Sequence, residues 1–235
     1  MNLTAQGWER ISIDSPSKLT IDSINAGVEV RNVAMSVQGE WDLRQLLPVI
    51  DVRDISCELL GAAVTSEGGR ADLAHPPFAF TVVARHLDLE QILSLEQQEG
   101  LDGSGLIDGS LPFTVTNRGV IVKDGRFEAR PPGGRIRYAA SPEATTTVTE
   151  ANANMRLVLQ ALSNFHYNVL QVGAEYEEDG TLKLKTRLEG KNPDQKKSPP
   201  IHFNLTVQEN IPALLKSLRL VQDIEDSVQK KFVKP

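Results

Sequence analysis

Strict alternation of apolar and polar side chains limits this chain more than any other feature. In "TLKLKTRLEG", Leu182, Leu184, Thr186 and Leu188 fall on one side, and Lys183, Lys185, Arg187 and Glu189 on the other. "IHFNLTVQ" repeats the device, with Ile201, Phe203, Leu205 and Val207 opposite His202, Asn204, Thr206 and Gln208. A period of two sends successive side chains to opposite faces of a pleated strand, so each strand has one dry and one wet face. Antiparallel sheets have that character; parallel sheets, covered on both sides, do not.

The same pattern runs through most of the chain. "ERISIDSPSKLTIDSI" reads as a hairpin around Ser15-Pro16-Ser17, and "VEVRNVAMSVQGEW" as one long strand or two. "VIDVRDISCELLGAAVTS", "PFAFTVVARHL", "GLIDGSLPFTVTN" and "GGRIRYA" supply further strands. "GVIVKDGRFEAR" is expected to fold over Asp124-Gly125, and the arm before Thr181 to turn at Asp179-Gly180, both strong two-residue turn signals. "KNPDQKKSPP" is polar and proline-rich, hence a loop.

Three places break the alternation with one phrase. Asp42, Asp88 and Asn210 are each followed by apolar residues one, four and five positions on, as in Asp88-Leu89 with Ile92 and Leu93. Asp and Asn accept hydrogen bonds from the free N–H groups that open a helix, so each phrase reads as a short capped turn folding back on the sheet. Three such units point to a structural repeat; short helices capping an ordinary β-sandwich would read the same way. A longer helix is expected from Thr149, its N-cap, to Asn164, with Met155, Val158, Leu159 and Leu162 on one face. A terminal helix covers roughly 211–232. The expected organisation is a repeating β segment over 1–148 and, continuous with the same sheet, a helix, hairpin, edge strand and terminal helix over 149–235.

Chemistry is sparse. The four histidines, His75, His86, His166 and His202, have no metal-ligand spacing. "LDGSGLIDGS" lacks the acid ladder of a calcium loop, and "PPGGR" lacks the Lys-Ser/Thr of a phosphate loop. No catalytic residue, cofactor or metal is assigned, and the chain reads as a non-enzyme. A net charge of −6 and 5% aromatic residues argue against nucleic acid, which calls for a basic surface or stacking rings. The lone cysteine, Cys57, forms no internal disulfide and reads as a small apolar residue in a strand. No run approaches the length of a membrane span, and the N-terminus has no signal-peptide pattern. Either the chain is cytosolic or it is a piece of a longer one.

Longer phrases carry a resemblance. "GLIDGSLP" followed by "DGRFEARPPGGRIRY", then "LSNFHYNVLQVGAEYEEDGTLKLKTRLEGKNP" and "PIHFNLTVQENIPALLKSLRL", resemble the C-terminal region of the YdbH-like proteins, within the AsmA-like group. These phrases cover about residues 85 to 225, and the first eighty residues match only in style. The resemblance implies a protein anchored in the inner membrane of Gram-negative bacteria, with a periplasmic sheet curled into an apolar groove that conducts phospholipids to the outer membrane. It implies that this chain is a C-terminal fragment of such a protein and that a small outer-membrane lipoprotein docks at its end. It also brings a dicarboxylate-transport label, for which these residues show no cationic site.

The expected fold is therefore mainly β: an elongated, twisted antiparallel sheet curled into an apolar groove, with a few short capping helices. Leu111, Phe113, Val115, Val120, Val122, Phe127, Ile136 and Tyr138 are the groove candidates. Ile201, His202, Phe203, Asn204, Leu205, Thr206 and Val207 form the expected partner-strand edge, with Lys196 and Lys197 beside it. A closed β-sandwich acting as a structural or adaptor domain for an envelope partner fits the same alternation, since its inner faces would form a core.

Overall fold

Alternation becomes strand over most of the chain. The structure, a computed structural model, describes residues 3–6, 9–25, 28–44, 47–95, 100–139, 153–195, 200–210 and 213. The strands are β1 (Leu3–Gln6), β2 (Arg10–Asn25), β3 (Glu29–Asp42), β4 (Val49–Leu59), β5 (Ala62–Asp72), β6 (Phe78–Asp88), β7 (Leu101–Ser104), β8 (Leu106–Val115), β9 (Val120–Ala129), β10 (Gly134–Tyr138), β11 (Phe165–Tyr176), β12 (Thr181–Lys191) and β13 (Ile201–Asn210). Among the described residues two helices interrupt them, α1 (Leu89–Ser94) and α2 (Ala153–Leu162).

All thirteen strands belong to one sheet, and each strand pairs antiparallel with its neighbours. Strands β7 and β8 are two halves of one arm, interrupted at Gly105. Strands β9 and β10 are two halves of the next, interrupted at Arg130–Gly133: Ile107 faces Ala129 on one side of the break, and Ser104 faces Arg135 on the other. β11 then pairs β9 through Gln171–Tyr176 and β10 through Phe165–Tyr167. Followed arm by arm, the sheet is a simple meander. A sandwich needs two facing sheets, and these strands form a single curled half-barrel.

The curl has identifiable causes. Asn32, Asp54, His86 and Asp124 take positive φ of 53°, 52°, 62° and 57° inside strands, each beside a register shift. Asn, Asp and His are the non-glycine residues that tolerate this backbone best, and the extra residue of a bulge bends and twists its strand. Two expected turns are thereby corrected. Ser15-Pro16-Ser17 is no hairpin: β2 runs through it, with a register shift between Ile13 and Ser17. Asp124-Gly125 is a bulge inside β9, and the chain reverses instead at Asn117–Gly119, where Thr116 N–H donates to the Gly119 carbonyl at 2.8 Å. Asp-Gly serves both purposes because both need a positive φ. The turn at Asp179-Gly180 is present, with Gly180 at φ 88°.

Glycines also make room for large side chains across the ladder. A Cβ on Gly109 would lie 2.2 Å from the Phe127 ring, and one on Gly125 2.7 Å from Leu111. At the interruption, Tyr167 reaches past Gly134 and Gly105 to donate a 3.0 Å hydrogen bond to the Ser104 carbonyl. Burial there pushes its phenol up to about 12.

The capped phrases behave unequally. Asp88 accepts from Glu90 N–H at 3.0 Å, and α1 lays Leu89, Ile92 and Leu93 on β7, where Gly103 leaves space beneath Leu93. Asp42 makes the same bond to Arg44 N–H at 3.0 Å, yet Leu43 and Leu47 stay 46% and 41% exposed. The expected fold-back onto the sheet is therefore corrected for this first unit. Leu93 has β7 beneath it, whereas no described element covers Leu43 and Leu47. Asn210 accepts from Ala213 N–H at 3.0 Å; the rest of the terminal helix and the Thr149 cap lie outside the described residues. Helix α2 is clamped at its C-terminal end by the buried Asn192 side chain, which donates to the Gln160 and Ala161 carbonyls at 2.8 and 3.3 Å.

The crowding at Tyr167 gives a direct test. Gly134→Ala puts a methyl 1.9 Å from the Ser104 carbonyl oxygen, and is expected to destabilise by about 1–3 kcal/mol. Tyr167→Phe keeps the ring and loses one hydrogen bond, costing about 1 kcal/mol. Urea denaturation followed by circular dichroism checks this order.

Candidate functional site: the apolar inner face

Directly opposed residues of an antiparallel ladder share a face, so register alone assigns the sheet's sides. Leu111 faces Val82, Phe113 faces both Phe80 and Val122, and Val115 faces Phe78 and Val120. Phe127 faces Gly109 and Val172, Ile136 faces Gly103 and Phe165, and Tyr138 faces Leu101. All eight groove candidates thus lie on one side of the sheet, within its central and C-terminal part. Phe80 and Phe113 stack with centroids 5.4 Å apart, and Phe165 meets Phe203 edge-on at 5.4 Å across the intervening β12.

The same face continues toward the N-terminus, where the sequence reading named no site residue. Ile21 faces Val33, Leu19 faces Met35, Val37 faces Val52, and Cys57 faces Val64. The signal was available, since "SKLTIDSI" alternates as plainly as β12; the hairpin expected at Ser15-Pro16-Ser17 obscured it. Cys57 is half-buried, and burial pushes its thiol up, as befits an inert apolar lining residue.

Burial along this face is graded. The packed cluster sits at the helix-bearing end of β5 to β12, with Ala62, Leu87, Ile107, Phe165, Tyr167 and Leu188 at its centre. Val122 is only 4% exposed. Toward the N-terminal edge, Leu19, Ile21, Ile24 and Trp41 are 47%, 37%, 41% and 38% exposed. At the other edge Leu205 and Val207 are 49% and 43% exposed. These six share the inner face, so the exposed apolar surface is contiguous with the packed one.

The outer face is ionic. Asp108 accepts from His86 N–H at 2.9 Å and from Arg130 at 2.9 Å. These contacts, the His86 N–H first, hold its carboxyl below the ordinary range. Glu175 is lowered by Lys185, 2.9 Å away. Glu189 is lowered chiefly by its hydrogen bond from Arg187, with His202 at 3.2 Å adding to it. A cavity of about 820 Å³ lies outside the β10 branch beside Arg135, His166, Lys191 and His202. Arg135 is 3.5 Å from Asp102, and His202 is paired with Glu189. Among the described residues no group of three or more His, Cys, Asp or Glu could hold a metal ion.

The partner-edge candidates divide as the alternation requires. Ile201 and Phe203 are half-buried on the inner face, while His202, Asn204 and Thr206 point outward and are exposed. β13 pairs with β12 along its whole length, from Ile201 opposite Gly190 to Asn210 opposite Thr181. Among the described residues no strand pairs with its other side. Lys196 and Lys197 lie outside the described residues.

A comparison with known families finds a match over nearly the whole chain. The description "YdbH-like: Intermembrane phospholipid transport protein YdbH" matches residues 3–232. The chain belongs to the YdbH-like family. The match takes in the first eighty residues as well, whose likeness in sequence was one of style. A curated relative, "Probable phospholipid transport protein YdbH" of Escherichia coli (strain K12), is 22% identical over 221 residues, covering 94% of this chain. The chain spans 24% of that relative's length. No solved structure matches.

The depressed Asp108 carboxyl fixes a pH dependence. Its folded-state pKa is lowered, so its contribution is complete above the unfolded value of about 4 and is lost as pH falls through the lower folded value. Asp108→Asn should therefore lower the urea midpoint at pH 6, and flatten its decline as pH falls below about 4. Urea titrations across that range check it.

Proposed function

We propose that this chain is a segment of a periplasmic conduit in which phospholipid acyl chains travel along the inner face of the sheet, with no chemistry performed on them. One observation carries the reading. The apolar face is continuous across the meander, yet Leu19, Ile21, Ile24, Trp41, Leu205 and Val207 on it are 37–49% exposed where a closed core would bury them. Contiguous exposed apolar surface of this kind marks a binding surface in a soluble domain. Acyl chains suit it because they require only apolar area and a path without polar interruption. The charged outer face meets water.

The family and the relative's printed name support a phospholipid as the cargo. In this reading the segment belongs to an inner-membrane-anchored protein that spans the periplasm, and lipid moves between the inner and outer membranes. The face serves as a rail, and neither a metal nor a cofactor takes part.

Position decides what a charge does on this face. Ile21→Asp and Leu19→Asp place carboxylates where water already reaches, so they should leave the fold intact while interrupting the apolar path. Val122→Asp buries a charge and should unfold the protein instead. Lipid recovered by mass spectrometry from organic extracts of the purified variants, alongside their melting temperatures, makes the comparison. Full lipid content in Ile21→Asp and Leu19→Asp would remove the groove reading.

We further propose that a small outer-membrane lipoprotein adds a strand to the free side of β13. Unpaired N–H and C=O groups there invite a further strand, and Ile201, Phe203, Leu205 and Val207 would continue the apolar face into it. Consecutive strand residues direct their N–H groups to opposite sides, so proline at Leu205 or at Thr206 removes an edge donor in one case and a β12 ladder donor in the other. The edge variant should keep the fold and lose photo-crosslinks from His202 and Asn204 to the partner. Undiminished crosslinks in both variants would exclude strand addition.

A further inference from the structure

The wall of the half-barrel has a weak seam. β4 and β5 share ten opposed residue pairs, from Val49–Asp72 to Leu59–Ala62. β5 and β6 share only three, Ala63–Arg85, Val64–Ala84 and Thr65–Val83. Beyond Thr65 the two strands run side by side without a ladder, although β6 stays paired to β8 from Phe78 onward. Gly68 lies where the ladder is missing. It takes φ 80°, and a Cβ there would lie 1.9 Å from the Val52 carbonyl oxygen, so the backbone departs from regular strand where the β5–β6 ladder ends.

Space lies on both sides of this seam. A cavity of about 660 Å³ opens outside it, and an apolar one of about 150 Å³ inside, and Gly68, Ala79 and Phe80 line both. Little but Gly68, Gly69 and Ala79 separates them. A Cβ on Gly69 would sit 3.6 Å from the Ala79 carbonyl oxygen, so the seam is closed, and too tight to admit a further β-strand, which needs about 4.8 Å on each side. Parting it breaks van der Waals contacts and no ladder hydrogen bonds. The outer cavity is flanked by the side chains of Arg85 and Glu67, for which no ion-pair or side-chain hydrogen-bond partner stands among the described residues.

We propose that the β5–β6 seam is a lateral port through which a phospholipid with a zwitterionic, amine-bearing headgroup passes its acyl chains into the groove. The headgroup stays outside, with its phosphate toward Arg85 and its ammonium toward Glu67. The chains slip between Gly69 and Ala79 onto Phe80. This rests on the groove reading above, and it adds a route of entry from the side to one along the axis.

A disulfide across the seam tests it. In a Cys57→Ser background of the full-length protein, Gly69→Cys with Phe80→Cys, which both line the inner cavity, staples the seam. Glu58→Cys with Ala63→Cys, an opposed pair of the closed β4–β5 ladder, is the control. Uptake of fluorescent phosphatidylethanolamine from vesicles should fall at least fivefold on oxidation of the seam pair alone, and recover with reductant. Phosphatidylglycerol vesicles should be the poorer donor, and Arg85→Glu should weaken that preference. A photo-crosslinker at Ala79 should capture lipid without any disulfide. Unchanged uptake with the staple formed, or an Ala79 crosslinker that captures none while one at Ile21 does, overturns the port and spares the groove. An Ile21 crosslinker that captures no lipid overturns both.

Discussion

An apolar sheet face with no second layer to cover it is the constraint on which the rest of this molecule depends. Apolar area left in water costs roughly 25 cal/mol per Å², so such a sheet curls on itself, recruits helices, or takes up something apolar. This one does the first two incompletely. Bulges at Asn32, Asp54, His86 and Asp124 bend the strands, and α1 and α2 cover the helix-bearing end of β7 and β10. What remains uncovered lies at β2, β3 and β13, near the two ends of the meander, where a longer structure could continue it.

Stability and exposure are therefore separated along one continuous sheet. The residues that hold it, among them Phe165, Leu170, Leu188 and Ala62, cluster under the helices, and Asn192 ties α2 down at its C-terminal end. Leu19 and Ile21 have no such cover. Segments with few buried apolar contacts open locally at small cost, so the packed end can keep the sheet folded while its flanks remain accessible. A uniformly buried core would be more stable and would have no free face.

Much of this was legible in the sequence, for a simple reason. In β12 the charged residues Lys183, Lys185 and Arg187 must face water, which fixes where Leu182, Leu184 and Leu188 go and hence the register with β13. Asp88 was readable as a cap because its apolar followers had β7 to lie on. Two features were not readable. Pro16 and Asp124-Gly125 carry the residue types of a turn, and only the pairing of neighbouring strands reveals that the chain bulges there and continues. Whether the apolar face closes was equally hidden, because alternation reports that a face is dry in composition and says nothing of what lies against it.

At the His86 bulge an outer-face charge takes part in the bend. The bulge at His86 leaves its backbone N–H without a ladder partner, and the Asp108 carboxylate on β8 accepts it while pairing with Arg130 beyond β9. An unsatisfied amide would make the bend costly; a charge-assisted hydrogen bond makes it tolerable and spans the three strands that curve around it. The polar face therefore helps to set the curvature of the apolar one. At β6 the curvature of the apolar face is thus held from the polar side, by a carboxylate placed to accept the N–H that bending exposes.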